Sequence, residues 1–424
     1  MQPEDHLFRR EAGRMVATLT RIFGVHNLAL AEDVVQDAFC RALEVWKFRG
    51  VPENPSAWLM VTAKNRALDV LRRERTARTF APDLGRLLES EWTLAPAVAE
   101  SFAPNAIKDD QLRMMFSCCH PRLPEEAQVA LVLHILCGFA VGEVAAAFVS
   151  SHAAMEKRIS RAKKILAGSK KLFDIADARD FAARLLAVHR ALYLLFNEGY
   201  HGASAESAVR ADLCREAMRL AALLRDRPLA ATPATFALSA LMSLHAARLP
   251  ARLDSSGELR SLFDQDRSQW DSRLVEEGQK LLDLSARGPQ LTEYHLEAAI
   301  AWAHAIAPSA ERTNWGMIVS LYDKLLAIRP SPVVALNRAI AIAQRDGPER
   351  GLAEIRAIAN SERLAAYPFY HAALGEFESR AGRREAAREH FRAALALARS
   401  PMEKRFLQQR VSSCTPYAAT TRTG

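Results

Sequence analysis

Apolar residues recur along most of this chain at intervals of three and four, the spacing that lines one face of an α-helix. Residues 5–23 place Leu7, Met15, Leu19, Ile22 and Phe23 near that spacing. Residues 30–46, LAEDVVQDAFCRALEVW, put Val34, Val35, Ala38, Phe39, Ala42, Leu43 and Trp46 on one face. The opposite face carries Glu32, Asp33, Gln36 and Asp37. The next segment, KFRGVPENPSAW, holds two prolines and a glycine and predicts a loop. Ser56 is placed to cap a helix starting at Ala57. Residues 63–78, AKNRALDVLRRERTAR, contain neither Gly nor Pro and read as helix. EEAQVALVLHILCGF reads as one strongly apolar helix. Convincing strand alternation is absent, and so is any parallel-sheet rhythm. The pattern predicts an all-α fold.

Residues 81–108 interrupt the rhythm. Pro82, Pro96 and Pro104 break it, and Asp83, Glu89, Glu91 and Glu100 outnumber Arg86 and Lys108. This reads as an acidic linker between domains, with helices resuming near Asp109. Residues 140–166, AVGEVAAAFVSSHAAMEKRISRAKKIL, have the spacing of a helix-turn-helix. A short helix over 141–148 turns Val144, Ala145 and Phe148 inward. Ser150 and Ser151 supply a cap, and Val149 occupies the turn where glycine is usual. A second helix over 152–166 is anchored by Met155, Ile159, Ala162 and Leu166. His152, Ala153, Glu156, Lys157, Ser160, Arg161 and Lys164 then face outward, where such a helix meets base edges and phosphates.

Charge sharpens this picture. The net charge is +8. Lys64, Arg66, Arg72, Arg73, Arg75 and Arg78 crowd one helix against only Asp69 and Glu74. A second cluster, Lys157, Arg158, Arg161, Lys163, Lys164, Lys170 and Lys171, contains no acid. Each could be a solvated helix face. Two such stripes in one region suggest two contacts with one polyanion.

LAEDVVQDAFCRALEVW followed by NPSAWLMVTAKNRALDVLRRER resembles domain 2 of the extracytoplasmic-function (ECF) sigma factors of bacterial RNA polymerase. GEVAAAFVSSHAAMEKRISRAKKIL is similar to their domain 4. The resemblance covers roughly residues 5–173. It implies sigma domain 2 over 1–80, the linker over 81–108 and sigma domain 4 over 109–173. It also implies that Glu32, Asp33, Gln36 and Asp37 dock on core RNA polymerase. The next helix would hold the −10 promoter element through phosphate contacts from Arg66, Arg72, Arg73 and Arg75. The loop 51–56, with Trp58 and Asn65, would capture unpaired bases; Trp58 fits a core position equally well. Asp69 reads as an ion-pair partner that orients the arginines. His152, Ala153, Glu156, Lys157, Ser160, Arg161 and Lys164 would read the −35 element.

The remaining chain, 180–411, is also helical. LYDKLLAIRPSP (321–332) matches HFRAALALARSP (390–401), and GLAEIRAIANSE (351–362) falls about halfway between. A period of roughly 34 residues is the tetratricopeptide spacing, helix pairs stacked in a row. The repeats begin at about residue 314. In the clearest copy, Ala373, Leu374 and Gly375 allow close packing, Ala381 and Gly382 end the first helix, and Ala394 packs in the second. ALYLLFNEGY and LFDQDRSQWD resemble segments of the ECF subgroup with a tetratricopeptide-like C-terminal extension. The expectation is an extension that binds a protein or peptide and tunes the front half. Residues 412–424 read as a disordered tail.

Composition excludes several other classes. The chain has 424 residues, 50% hydrophobic and 25% charged, ordinary for globular domains. No apolar run reaches the roughly 18 residues of a membrane span, and the opening MQPEDHLFRREAGR does not read as a signal peptide. Six irregularly spaced cysteines suggest no disulfide framework and fit a reducing cytoplasm. Cys118, Cys119 and His120 lack a second ligand pair, so buried thiols are favoured over zinc. Asp264, Asp266 and Asp271, near Arg267 and Trp270, read as a capping or ion-pair loop, and His189 as a packed residue. No phosphate loop or nucleophile motif is found. The chain therefore reads as a non-enzyme without cofactor or metal. The alternative is a helix-turn-helix regulator acting without polymerase; it would need neither the acidic helix nor the first basic helix.

Overall fold

The computed structural model describes residues 3–77, 104–148, 150–168, 181–201, 210–254, 258–398 and 401–414. The chain is all-α: among the described residues the sole strand-like feature is an isolated bridge between Leu253 and Leu259. It forms two compact units, Met1–Leu195 and Phe196–Gly424. No described helix is long and apolar enough to cross a membrane.

The first unit starts with α1 (Pro3–Phe23), α2 (Leu28–Arg49) and α3 (Pro55–Ala77). Gly24, at φ 89°, ends α1, and Gly50, at φ 76°, ends α2. Both adopt the left-handed region that costs a side-chain residue strain. Met15, Leu19 and Phe23 of α1, Val34, Val35, Ala38, Ala42 and Trp46 of α2, and Leu59, Ala63, Ala67 and Leu71 of α3 are all buried. Two details depart from the periodicity. Leu43 is 51% exposed rather than inward, because the buried stripe runs through Ala42 and Trp46. The cap of α3 is Asn54 rather than Ser56: its Oδ1 accepts the Ala57 amide at 3.0 Å, with Pro55 already in the helix.

The helix α4 (Pro104–Cys118) begins inside the stretch read as linker; residues 81–103 lie outside the described residues. Leu112, Met114, Met115 and Phe116 are all buried, so α4 is enclosed on several sides. The apolar segment after it is not one regular helix. α5 (Glu125–Leu131) widens into a π-helical turn over Val132–Leu136, and Gly138 at φ 67° closes it. That turn packs on α1 so closely that a Cβ on Gly13 would lie 1.9 Å from the Leu136 carbonyl oxygen. Arg21 of α1 meets the buried Asp110 of α4 at 2.7 Å. Segments before and after the linker stretch thus share one core.

A short helix α6 (Val141–Ala147) and a longer α7 (His152–Ala167) follow. Ser151 caps α7 by accepting the Ala154 amide at 3.2 Å. Val144, Ala145, Met155, Ile159, Ala162 and Leu166 are buried as expected, while Phe148 is only half-buried. Val149 lies outside the described residues. The next helix, α8 (Phe181–His201), starts in the first unit. Phe181 stacks on Phe116 at 5.2 Å, and Arg184 donates to the Phe116 carbonyl at 3.1 Å.

The second unit continues with α9 (Ala211–Arg225), α10 (Pro233–Ala246), α11 (Ser272–Ser285) and α12 (Glu293–Ala305). α10 is buried along most of its length, with Thr232 as its cap. Asp271 caps α11 and Asp266 caps the short turn Arg267–Gln269, so these acids serve local structure. Six helices complete the unit: α13 (Trp315–Ile328), α14 (Pro332–Asp346), α15 (Pro348–Arg356), α16 (Pro368–Arg380), α17 (Arg384–Leu397) and α18 (Pro401–Ser413). Their cores are local. One cluster joins α12, α13 and α14, a second α14, α15 and α16, and a third α17 and α18. Gly375 of α16 faces α17, and a Cβ there would meet the Phe391 ring at 2.9 Å. α18 runs into the expected tail as far as Ser413, and Cys414 is buried; residues 415–424 lie outside the described residues.

Candidate nucleic-acid interface

The outer face of α2 is exposed at Asp33, Gln36 and Asp37. Glu32 departs from this group. Its carboxylate takes the Lys163 ammonium of α7 at 2.7 Å and lies 3.3 Å from His134 Nε2 in the π-helical turn. Only 14% of its side chain is exposed. Burial pushes the Glu32 carboxyl up, but His134 and Lys163 together outweigh burial and hold it below the usual carboxylate range. Glu32, expected among the docking residues, is thus tied to α7 rather than facing outward with the other three. Periodicity places Glu32 correctly on the polar face but carries no information about a partner 131 residues away. Lys163 is four residues beyond the buried Ile159, at the edge of the inward stripe of α7.

On α3, Asn65, Arg66, Arg72 and Arg73 are exposed. Arg66 donates from Nε to Asp37 at 2.8 Å, joining two residues expected to serve different partners. Arg72 lies 4.0 Å from Asp69, the pairing expected within the helix. The side chain of Arg75 and all of Arg78 lie outside the described residues. Trp58 is half-buried and packs on Trp46 at 5.5 Å, in an aromatic group with Phe8 and Phe39. It shares its ring contacts with the core yet keeps part of its side chain exposed. The exposed apolar side chains near the α2–α3 loop are instead Phe48, 84% exposed, with Val51 and Val61. Periodicity does not single out Phe48; its place between Lys47 and the helix-ending Gly50 is the signal that marks it.

On α7, all seven expected outward residues are exposed: His152, Ala153, Glu156, Lys157, Ser160, Arg161 and Lys164. Arg158, from the same basic run, pairs with Glu126 of α5 at 3.0 Å. Lys157, Arg161 and Lys164 have no carboxylate within ion-pair distance among the described residues. Lys170 and Lys171 lie outside the described residues. Two exposed cationic faces result, one on α3 and one on α7. Each can neutralise phosphates at a cost in affinity as salt rises.

Cys118 and Cys119 are fully buried, and burial pushes the Cys119 thiol up to about 12, so neither offers a ready thiolate. His189 is buried within α8, and burial lowers its pKa to about 4.

Residues 7–77 match the family model for sigma-70 region 2, and residues 184–286 match a family of unknown function, DUF6596. A curated relative, an uncharacterized protein of Rhizobium meliloti (strain 1021), is 38% identical over 405 residues, covering 96% of this chain and 94% of the relative. No solved structure matches the chain significantly. The region 2 match spans α1 to α3 and includes both the acidic face of α2 and the basic face of α3. With that region at its front, DUF6596 behind it and a relative alike nearly end to end, the chain belongs to the ECF-like sigma factors that carry a C-terminal extension.

Proposed function

We propose that this sigma factor binds core RNA polymerase through Asp33, Gln36 and Asp37 and recognises a −10 and a −35 promoter element. In this reading α3 holds the −10 strand through Asn65, Arg66, Arg72, Arg73 and Arg75. The exposed apolar group at Phe48 and Val51 takes over the base-capturing role expected of Trp58. The pair α6–α7 acts as a helix-turn-helix, with His152 to Lys164 turned to the −35 element. The extension is tetratricopeptide-like. Its helices start at Pro332, Pro368 and Pro401, close to the roughly 34-residue repeat, and their cores join sequence neighbours. Such a row of helices suits protein or peptide contact, and its role would be to tune transcription in the cytoplasm.

The observation that carries the reading is the sigma-70 region 2 match over residues 7–77, on whose helices Asp33, Asp37, Arg72 and Arg73 are exposed. Run-off transcription with core polymerase on a genomic library tests it, alongside DNA binding with and without core. Promoter-specific transcripts are expected, and specific DNA binding should need core. Specific binding by the chain alone would favour a regulator that acts without polymerase. Arg72→Ala with Arg73→Ala should weaken promoter complexes and flatten their salt dependence, because about two fewer counterions are released. An unchanged salt slope would remove α3 from the phosphate contacts.

A further inference from the structure

The second unit gathers cations that its described carboxylates do not answer. Arg248 and Arg252 follow α10, four residues apart. The Tyr200 ring serves both: its centre is 4.2 Å from the Arg252 guanidinium carbon and 6.0 Å from that of Arg248. Trp270 flanks Arg248 at 5.4 Å and Arg267 at 5.2 Å. His245 lies 5.0 Å from Tyr200. Ring faces attract guanidinium groups, but they do not neutralise them. Burial pushes the Arg248 guanidinium below its ordinary value; Tyr200 opposes this, while Arg252 and Arg267 add to it.

The hydrogen bonds separate the three arginines. Arg267 donates to the carbonyls of His304 at 2.7 Å and Ala307 at 2.5 Å, and to Thr313 Oγ1 at 3.3 Å. It closes the end of α12 and is structural. Arg248 donates from Nε to Gln265 at 3.3 Å. Arg252 Nε is buried and meets no acceptor, and the same holds for Trp270 Nε1. Asp254, the acid nearest in sequence, pairs with Arg260 at 3.8 Å. Among the described residues no carboxylate is within ion-pair distance of Arg248 or Arg252. Among the described residues the locus therefore has donors and positive charge in excess of acceptors that carry negative charge. A buried donor without an acceptor is costly, and so is a pair of like charges.

We propose that Arg248 and Arg252, aligned by Tyr200 and backed by Trp270, form a binding site for a small molecule that presents an oxyanion, a carboxylate or a phosphate. The planar guanidinium fork matches two oxygens of either group. Stacking on Tyr200 fixes the plane of Arg252 before the ligand arrives, which lowers the ordering cost of binding. These four residues all lie in the stretch matched by DUF6596. The site does not depend on the promoter reading and is tested without polymerase or DNA.

The probes are inorganic phosphate and acetate, titrated against the full chain while its thermal unfolding is followed, with potassium chloride at matched ionic strength as control. A ligand of the native state alone raises the unfolding midpoint. A saturable rise with phosphate, with acetate or with both, and none with chloride, is expected; the more effective probe identifies the group. Arg252→Gln should lose that rise, while its midpoint in chloride stays equal or increases because a repelling charge has gone. Arg252→Lys keeps the charge but not the fork, and should need at least tenfold more probe. Phosphate held by the cationic faces of α3 or α7 would persist in Arg252→Gln. An equal rise in that variant therefore overturns the proposal. So does the absence of any rise above chloride in the unaltered chain, a result that does not depend on whether a variant folds.

Discussion

His304 sits at the end of α12, its ring 5.3 Å from Trp315, and only 9% of it is exposed. Burial lowers its pKa to about 3, and Arg248 and Arg267 add to the shift. Its ordinary value is 6.5. The folded chain therefore favours the neutral ring. That contribution is fully present above the unfolded pKa and is lost as pH falls from 6.5 toward 3. Between pH 6.5 and 5 the loss is about 2 kcal/mol. Denaturant unfolding at pH 7 and pH 5 should show His304→Leu losing about that much less stability than the unaltered chain. The comparison isolates His304 from His189, which shifts in the same sense. Equal losses would mean that His304 is not held neutral. Residues of this kind were only partly legible in the sequence. An imidazole in an apolar helix announces burial. The arginines that depress it further come from positions 248 and 267, and periodicity does not bring those together. Glu32 teaches the same lesson from the surface side. Its place on the polar face was readable, and its capture by Lys163 was not.

The helices themselves were largely readable, because buried stripes, caps and breakers are local properties. Ser151 caps α7 and its four inward anchors are buried, as the spacing implied; the close packing expected at Gly375 is made against Phe391, which the spacing did not single out. Departures arose where tertiary contact overrides the local pattern. EEAQVALVLHILCGF carries no mark of a π-helical turn, which here faces the backbone of α1 at Gly13. That contact yields a sharp expectation. Gly13→Ala would drive a methyl group to 1.9 Å from the Leu136 carbonyl oxygen, and neither backbone can yield cheaply. The substitution should destabilise the first unit by about 1–3 kcal/mol, as overpacking does. It should also raise amide exchange in the turn Val132–Leu136. Unchanged stability and exchange would show that α1 and the turn do not pack this closely. The extension supplies a second element-scale test. Phe181, Arg184 and Arg190 of α8 pack on α4 and α5, with Arg190 3.3 Å from Glu125. A fragment ending at Lys171 removes them and exposes Phe116, whereas one ending at His201 retains them. The shorter fragment should unfold at a distinctly lower denaturant concentration. Equal midpoints would make α8 dispensable to the first unit. The resemblance to the two sigma domains ends near residue 173, which sets the extension apart from residue 180. A motif boundary does not reveal which core the next helix joins.

For the molecule as a whole, the Glu32–Lys163 latch has a thermodynamic consequence. The proposed polymerase-docking face lies on α2 and the proposed −35 face on α7, and one ion pair ties the two helices. A partner that draws α2 away from α7 must break that pair, and so must a partner that draws α7 away from α2. Whichever binds first meets the whole cost, and the second meets none. Linkage then requires reciprocity: promoter DNA must raise affinity for polymerase by the same factor by which polymerase raises affinity for DNA. Lys163→Met removes the shared cost in advance. It should tighten core binding in the absence of DNA and shrink that common factor, by roughly 5-fold or more for a coupling of ~1 kcal/mol or above. Fluorescence titration of core polymerase with and without promoter DNA measures both quantities. An unchanged factor in Lys163→Met would show that the latch couples nothing. Under the proposed assignment of the two faces, a single half-buried carboxylate would couple the partners, so that either one alone is held more weakly than both together.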